Sequence, residues 1–267
     1  MSNRLYAVLA LVAGLGIAVP GNAQRAAQAP GLGTRLNFVT CPMVRDTYVP
    51  AWLAEKDGEL YYLGAQGDLG ADFYPPQLGH KALIEGVVSP NAERISGGLV
   101  LSPVKVSVLP ELDPSCNTIL PASGFADPPH HRTPGPSNSE ERERNRQQPA
   151  PPEQPFKAES FDVSFAFDVS DHLFARDSRM VSVAANYAKA INAGAIEVIG
   201  YRSGALLSDG TRLQERADVA SRRLAKVLGM LEHAGADPKL VTSRTSDAEF
   251  DGVDDYRTRR VTIIVKP

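Results

Sequence analysis

The sequence predicts an α+β chain: a small all-β barrel followed by a βαβαββ sandwich unit. Three observations carry this. From Leu36 to Leu120, short runs rich in Val, Leu, Ile and Tyr alternate with turn residues and show no helical period. From Ser160 to Lys266, strand-like and helix-like periods take turns. Between them lies "DPPHHRTPGPSNSEERERNRQQPAPPEQP", which has no apolar side chain large enough to anchor a core and reads as a disordered linker. The predicted organisation is an export signal at 1–23, a tail at 24–35, the barrel at 36–121, the linker at 122–156 and the α+β unit at 157–267.

The start of the chain predicts the compartment. "MSNR" is basic, Leu5 to Val19 is an uncharged run of 15 residues, and Gly21 and Ala23 are small residues before a cut. That run is short of the ~20 apolar residues of a comfortable span. A cleaved secretory signal peptide is therefore expected, with an uncleaved N-terminal anchor as the alternative. No Cys stands at the expected cut, and no later stretch reads as an integral span. Cys41 and Cys116 are the only cysteines, so one disulfide is the only intramolecular pairing. Closing a loop of about 75 residues, it is worth roughly 4 kcal/mol on the chain-entropy view; two buried thiols are the other reading. A net charge of −3 gives no reason to expect nucleic acid.

In the first unit, "ELYYLGAQ", "HKALIEGVV" and "GGLVLSPVKVSVLP" read as strands, punctuated by "KDGE", "YPPQLG" and "SPNAERISGG". Five or so strands suggest a closed or nearly closed OB-like barrel. Trp52, Tyr61 and Tyr62 belong either to its core or to a stacking surface. In the second unit, Phe161, Val163, Phe165 and Phe167 alternate as a strand. Met180, Ala184, Tyr187 and Ile191 form a helical stripe, with Asp177 or Ser178 as its cap and Gly194 as its end. "AIEVIGY" is a buried strand. A second helix is predicted through Leu213, Ala217, Ala220, Leu224, Val227 and Leu231, ended by Gly235 and Pro238. "KLVTSRTS" and "RRVTIIVK" complete a sheet with helices on one side.

This second unit resembles the OmpA-like C-terminal domain, the peptidoglycan-associated module of envelope proteins, over about Ser160 to Lys266. "FAFD" resembles the family's first strand, ending at Asp168; "IEVIGY" leads to the place of its Gly-His-Thr-Asp signature; Arg223 stands twelve residues before Gly235; and "RRVTIIV" resembles the closing strand, at Arg259, Arg260 and Val261. The resemblance implies a small pocket for the charged end of a peptidoglycan stem peptide, usually diaminopimelate. An aspartate there answers the ammonium and an arginine fork answers the carboxylate. Here the signature is degenerate: Gly200, Tyr201, Arg202, Ser203. Ser203 replaces the aspartate, Arg202 adds a cation, and the following loop is about five residues longer. The implied ligand-binding set is Arg223, Ser203, Asp168, Tyr201 and Arg202, with Asp209 or Asp218 as other stand-ins for the acid and Arg216 as a rival for the arginine. Losing one charge-assisted hydrogen bond costs ~1.5–3 kcal/mol, so binding at least tenfold weaker is implied.

No catalytic constellation is visible, so an enzyme is not expected and a periplasmic hydrolase is a distant alternative. His80, His172 and His233 are scattered; His130 and His131 lie in the linker without further ligands. Asp247, Glu249, Asp251, Asp254 and Asp255 form an acidic loop without EF-hand spacing. No metal or cofactor is expected. The expected function is an exported envelope scaffold in the periplasm, cell-wall or outer-membrane associated, docking weakly on peptidoglycan. The alternative is a protein–protein interaction module that has lost that affinity, its partner another envelope protein. About 30 linker residues predict that the two units reorient freely.

Overall fold

The computed structural model describes residues 31–67, 75–128, 152, 154–173 and 175–267. The expected signal peptide, the tail up to residue 30, most of the linker, and His130 and His131 lie outside the described residues. No described helix is long and apolar enough to cross a membrane.

The first unit is all β. It contains β1 (Arg35–Thr40), β2 (Pro42–Arg45), β3 (Ala51–Lys56), β4 (Glu59–Ala65), β5 (His80–Val88), β6 (Arg94–Ile95), β7 (Gly98–Leu112) and β8 (Thr118–Leu120). They pair in the order β1-β5-β7-β4-β3-β2-β8, with β6 on β7, so β1 and β8 are the two ends of an open path. The sheet is nevertheless curled: Leu36 and Phe38 of β1 share a core with Trp52 and Ala54 of β3, Tyr61 and Leu63 of β4, and Ile84 of β5. Trp52, Tyr61 and Tyr62 are all buried, and the Trp52 indole donates to Gln66 Oε1 at 2.6 Å. Cys41 and Cys116 form a disulfide, tying the end of β1 to the approach to β8.

The second unit contains β9 (Glu159–Ser164), α1 (Ala175–Ile191), β10 (Ala195–Arg202), β11 (Gly204–Leu206), β12 (Arg212–Gln214), α2 (Val219–His233), β13 (Val241–Asp247) and β14 (Arg260–Lys266). The predicted βαβαββ order is present, with the sheet order β13-β10-β14-β9. β10 runs parallel to β13 and antiparallel to β14. Val181, Ala184, Ala185, Ala188 and Ile191 of α1 and Leu224, Val227 and Leu231 of α2 pack on Phe161, Val163, Ile196, Val198 and Ile263 of the sheet. Gly200 allows α2 to lie close: a Cβ there would stand 2.6 Å from the Ala220 carbonyl oxygen.

Several boundaries differ from the sequence reading. β9 ends at Ser164, and Phe165 and Phe167 are buried beyond it. Asp177 lies inside the first turn of α1, where its charge suits the helix N-terminus, so it is not the cap. Asn192, at φ 49°, supplies the left-handed residue after α1, two positions before the Gly194 that the sequence offers as the helix end; a short amide side chain tolerates that region. Leu213 and Ala217 are not on α2. Leu213 is on β12, because the long loop folds into a hairpin, and α2 begins only at Val219. Gly235, at φ 88°, does end α2.

The expected free reorientation is overturned by a buried polar interface between the units. The outward sides of β1, β5 and β7 face the second unit. Leu83 clusters with Phe167 and Ala205, flanked by Val39, Leu109, Leu207 and Leu213. Glu85 pairs with Arg259, both buried, and Ser107 Oγ accepts the Phe167 amide at 2.9 Å. Asn37 donates through Nδ2 to Leu206 O at 3.0 Å, and Arg35 pairs with Asp254 at 2.8 Å.

Two outcomes are expected. Gly200→Ala should cost about 1–3 kcal/mol by overpacking α2, measured by urea unfolding. Burial, with the Glu59 and Asp57 charges behind it, pushes the Tyr61 phenol up to about 12. An unfolded tyrosine ionises near ~10, so this group's contribution is complete below that pH and is lost as pH rises through the folded value. Alkaline unfolding followed at the tyrosinate absorbance should therefore show stability falling over that window, and Tyr61→Phe should flatten the fall.

Candidate functional site

The site lies where the exits of β9 and β10 meet the start of α2. Arg223 is on the first turns of α2 and is fully buried. Its guanidinium has five N–H groups, and each has an acceptor within the chain. Nε donates to Val169 O at 2.8 Å. Nη1 donates to Tyr201 O at 3.1 Å and Glu215 Oε2 at 2.9 Å. Nη2 donates to Ala166 O at 2.9 Å and Glu215 Oε1 at 2.5 Å. The Phe165 ring lies 5.1 Å below the guanidinium carbon.

Glu215 follows the β11–β12 hairpin and is also buried. Beyond the arginine fork, its Oε1 accepts the Asp168 amide and its Oε2 the Ser203 amide, each at 2.8 Å. Two donors on each oxygen fill an ionised carboxylate. Asp168 sits at φ 58°, in the left-handed region. Its own carboxylate is turned away from Arg223: it accepts the Arg216 amide at 2.9 Å and pairs with Arg216 Nε at 2.7 Å.

The structure thus brings Arg223, Ser203 and Asp168 together, but around an acid of the chain itself. Ser203 is buried, its hydroxyl shared with Thr258 Oγ1. Tyr201 contributes its carbonyl, while its ring carries Arg260 at 4.8 Å. Arg202 does not face the pocket as a free cation: it forks onto Asp247 on the neighbouring strand, at 2.9 Å twice. Hydrogen bonding and charge from Arg202 hold the Asp247 carboxyl below its ordinary range, and Asp247 raises Arg202 in turn. Of the two arginine candidates, Arg223 is the buried one and Arg216 is half exposed against Asp168. Asp209 caps its own turn by accepting the Thr211 amide at 2.8 Å, and Asp218 precedes α2, 3.7 Å from Arg222.

The sequence does not point to Glu215, because "RLQERA" reads as the beginning of a helix. On a helix, Glu215 would stand two turns before Arg223 and could not reach it. The length of the loop was the available sign, since extra residues after β10 need somewhere to go.

Asp255, His80 and His233 have structural settings of their own. Asp255 is buried and accepts the Leu206, Asp251 and Gly252 amides at 2.7, 2.9 and 2.9 Å, so this part of the acidic loop organises the chain. His80 Nδ1 meets Leu109 O at 2.9 Å, and His233 lies in the last turn of α2.

No protein-family model matches this chain, and no curated protein matches it. Solved structures resemble part of it. The OmpA-like domain of FopA1 from Francisella tularensis subsp. tularensis SCHU S4 is 18% identical, with 41% of this chain and 73% of that chain covered at a TM-score of 0.33. A putative MotB like protein from Desulfovibrio vulgaris is 18% identical, covering 41% of this chain and 76% of that chain at a TM-score of 0.33. The periplasmic domain of Helicobacter pylori MotB is 17% identical, covering 43% of this chain and 79% of that chain at a TM-score of 0.31.

Removing one partner of a buried ion pair strands the other. Arg223→Ala should therefore cost about 3–5 kcal/mol in chemical denaturation. Arg222→Ala, next door but half exposed, should stay within about 0.5 kcal/mol. Equal effects would mean that the Arg223 pair does not form.

Proposed function

We propose that this chain is an exported cell-envelope interaction module with an OmpA-like second unit, whose Arg223 pocket is closed from within. It meets another envelope protein and does not dock on peptidoglycan through Arg223. One observation carries this reading: the Arg223 guanidinium has no N–H left for an external carboxylate, because Glu215 and three backbone carbonyls take all five. A stem-peptide carboxylate would have to displace a bidentate, four-bonded carboxylate held at no entropic cost of association. An incoming ammonium fares no better. Ser203 stands in place of the family's aspartate, and both acids at the site are already paired, Glu215 with Arg223 and Asp168 with Arg216. Envelope export rests on the N-terminal sequence pattern, and the OmpA-like assignment on the motifs around Asp168, Gly200, Arg223 and Arg259 together with the βαβαββ order. Weak wall docking, the first expectation from the sequence, becomes the competing outcome.

Co-sedimentation of the full chain with purified sacculi at low salt decides between them. The protein is expected to remain in the supernatant. Sedimentation with the wall, reversed by millimolar free diaminopimelate, would contradict the closed pocket.

A further inference from the structure

The residue that fills the pocket is delivered by a hairpin that does not stand alone. β11 and β12 are three residues each, and an isolated two-stranded ribbon of that size is marginal at best. Within the second unit, the hairpin is anchored through Leu206, whose amide donates to Asp255 Oδ2 at 2.7 Å, and through Arg212 and Gln214, which donate to Phe250 O at 3.3 Å and to Ser203 O at 2.8 Å. Further support comes from the first unit, in part directly and in part through Arg259. At its start, Arg259 Nη1 donates to Gly204 O at 3.0 Å while its fork is held by the buried Glu85 of β5. At its turn, the Ser208 amide donates to Asn37 O at 2.8 Å and the Asn37 amide donates back to Ser208 Oγ at 2.9 Å. Asn37 Nδ2 adds a bond to Leu206 O at 3.0 Å. Ala205 is buried against Leu83. The first unit therefore holds the turn of the hairpin directly, through Asn37, and its start indirectly, through Glu85 and Arg259.

We propose that the first unit is an autoinhibitory latch: by pinning the β11–β12 hairpin through Asn37 and Glu85, it keeps Glu215 seated on Arg223. Loosening the grip withdraws Glu215 and uncovers the arginine fork together with the Asp168 and Ser203 amides. This rests on the closed-pocket reading above and adds what controls the closure. The bistable element is the hairpin, and the differential contacts are those the first unit makes with it only in the seated state.

The test is residue-resolved amide hydrogen exchange on the full chain, comparing wild type with Asn37→Ala and Glu85→Gln. Asn37→Ala removes the side-chain bonds and leaves the Asn37 backbone in place; it is the deciding variant if Glu85→Gln, which leaves Arg259 uncompensated in the interior, does not fold. The Ser208 amide reports the grip, and the Asp168 and Ser203 amides report the seat of Glu215. All three are expected to exchange about tenfold faster or more in the variants, while Val198 and Ile263 in the central strands keep their wild-type rates. Acceleration of Ser208 alone would overturn the proposal, as would no acceleration or an equal acceleration of Val198 and Ile263. The exchange result stands apart from sacculus binding by the wild-type chain, so the two ideas fail separately.

Discussion

The second unit is organised around the compensation of one buried charge. Removing a guanidinium from water costs a great deal unless it is paired and hydrogen-bonded. Arg223 meets that requirement by drawing on four separate stretches of chain. The exit of β9 gives the Ala166 and Val169 carbonyls, β10 gives the Tyr201 carbonyl, the hairpin gives Glu215, and α2 carries the arginine itself. The left-handed backbone at Asp168 belongs to the same arrangement, since its amide is one of the two that complete Glu215. None of these stretches can shift without unsatisfying a charged group.

A second buried pair, Glu85 with Arg259, does the corresponding work between units. β5 is buried on both sides: Ala82 and Ile84 turn into the core of the first unit, while Leu83 and Glu85 turn toward the second. The same alternation places Asn37 and Val39 of β1, and Ser107 and Leu109 of β7, on the docking side. Contact between the units is set by the surfaces that meet. The docked surface reaches the loop end of the second unit, where the hairpin and the Asp168 turn lie.

What the sequence made legible follows from the range of the interactions concerned. The strand and helix order of the second unit was readable because amphipathic periods are local, and Gly235 was readable because a helix stop is a local backbone requirement. Arg223 stands out in the sequence by its distance from Gly235 as a ligand contact, and the structure places it in a buried polar cluster of the chain's own groups. The partner of Arg223 was not readable. Nothing within a few residues of Glu215 indicates that its carboxylate is buried, and a Glu among Leu, Gln and Arg suits an exposed helix equally well. The interface was hidden for the same reason. Glu85 on a strand reads as a solvent-facing position by alternation, and only the approach of Arg259, 174 residues later, makes it interior. The acidic loop shows the reverse case: it suggested either solvent or a cation, and Asp255 in fact accepts three backbone amides.

The account depends most on Arg223 being spent on its own chain, and nitrogen-detected NMR of the arginine guanidinium groups in the intact protein tests that directly. Arg223 should give separately resolved, slowly exchanging Nε and Nη protons, in contact with the Asp168 and Ser203 amides and unmoved by added acetate or diaminopimelate. An averaged, rapidly exchanging Nη signal, or one that shifts saturably with either compound, would show that the fork is open and that Glu215 does not fill it.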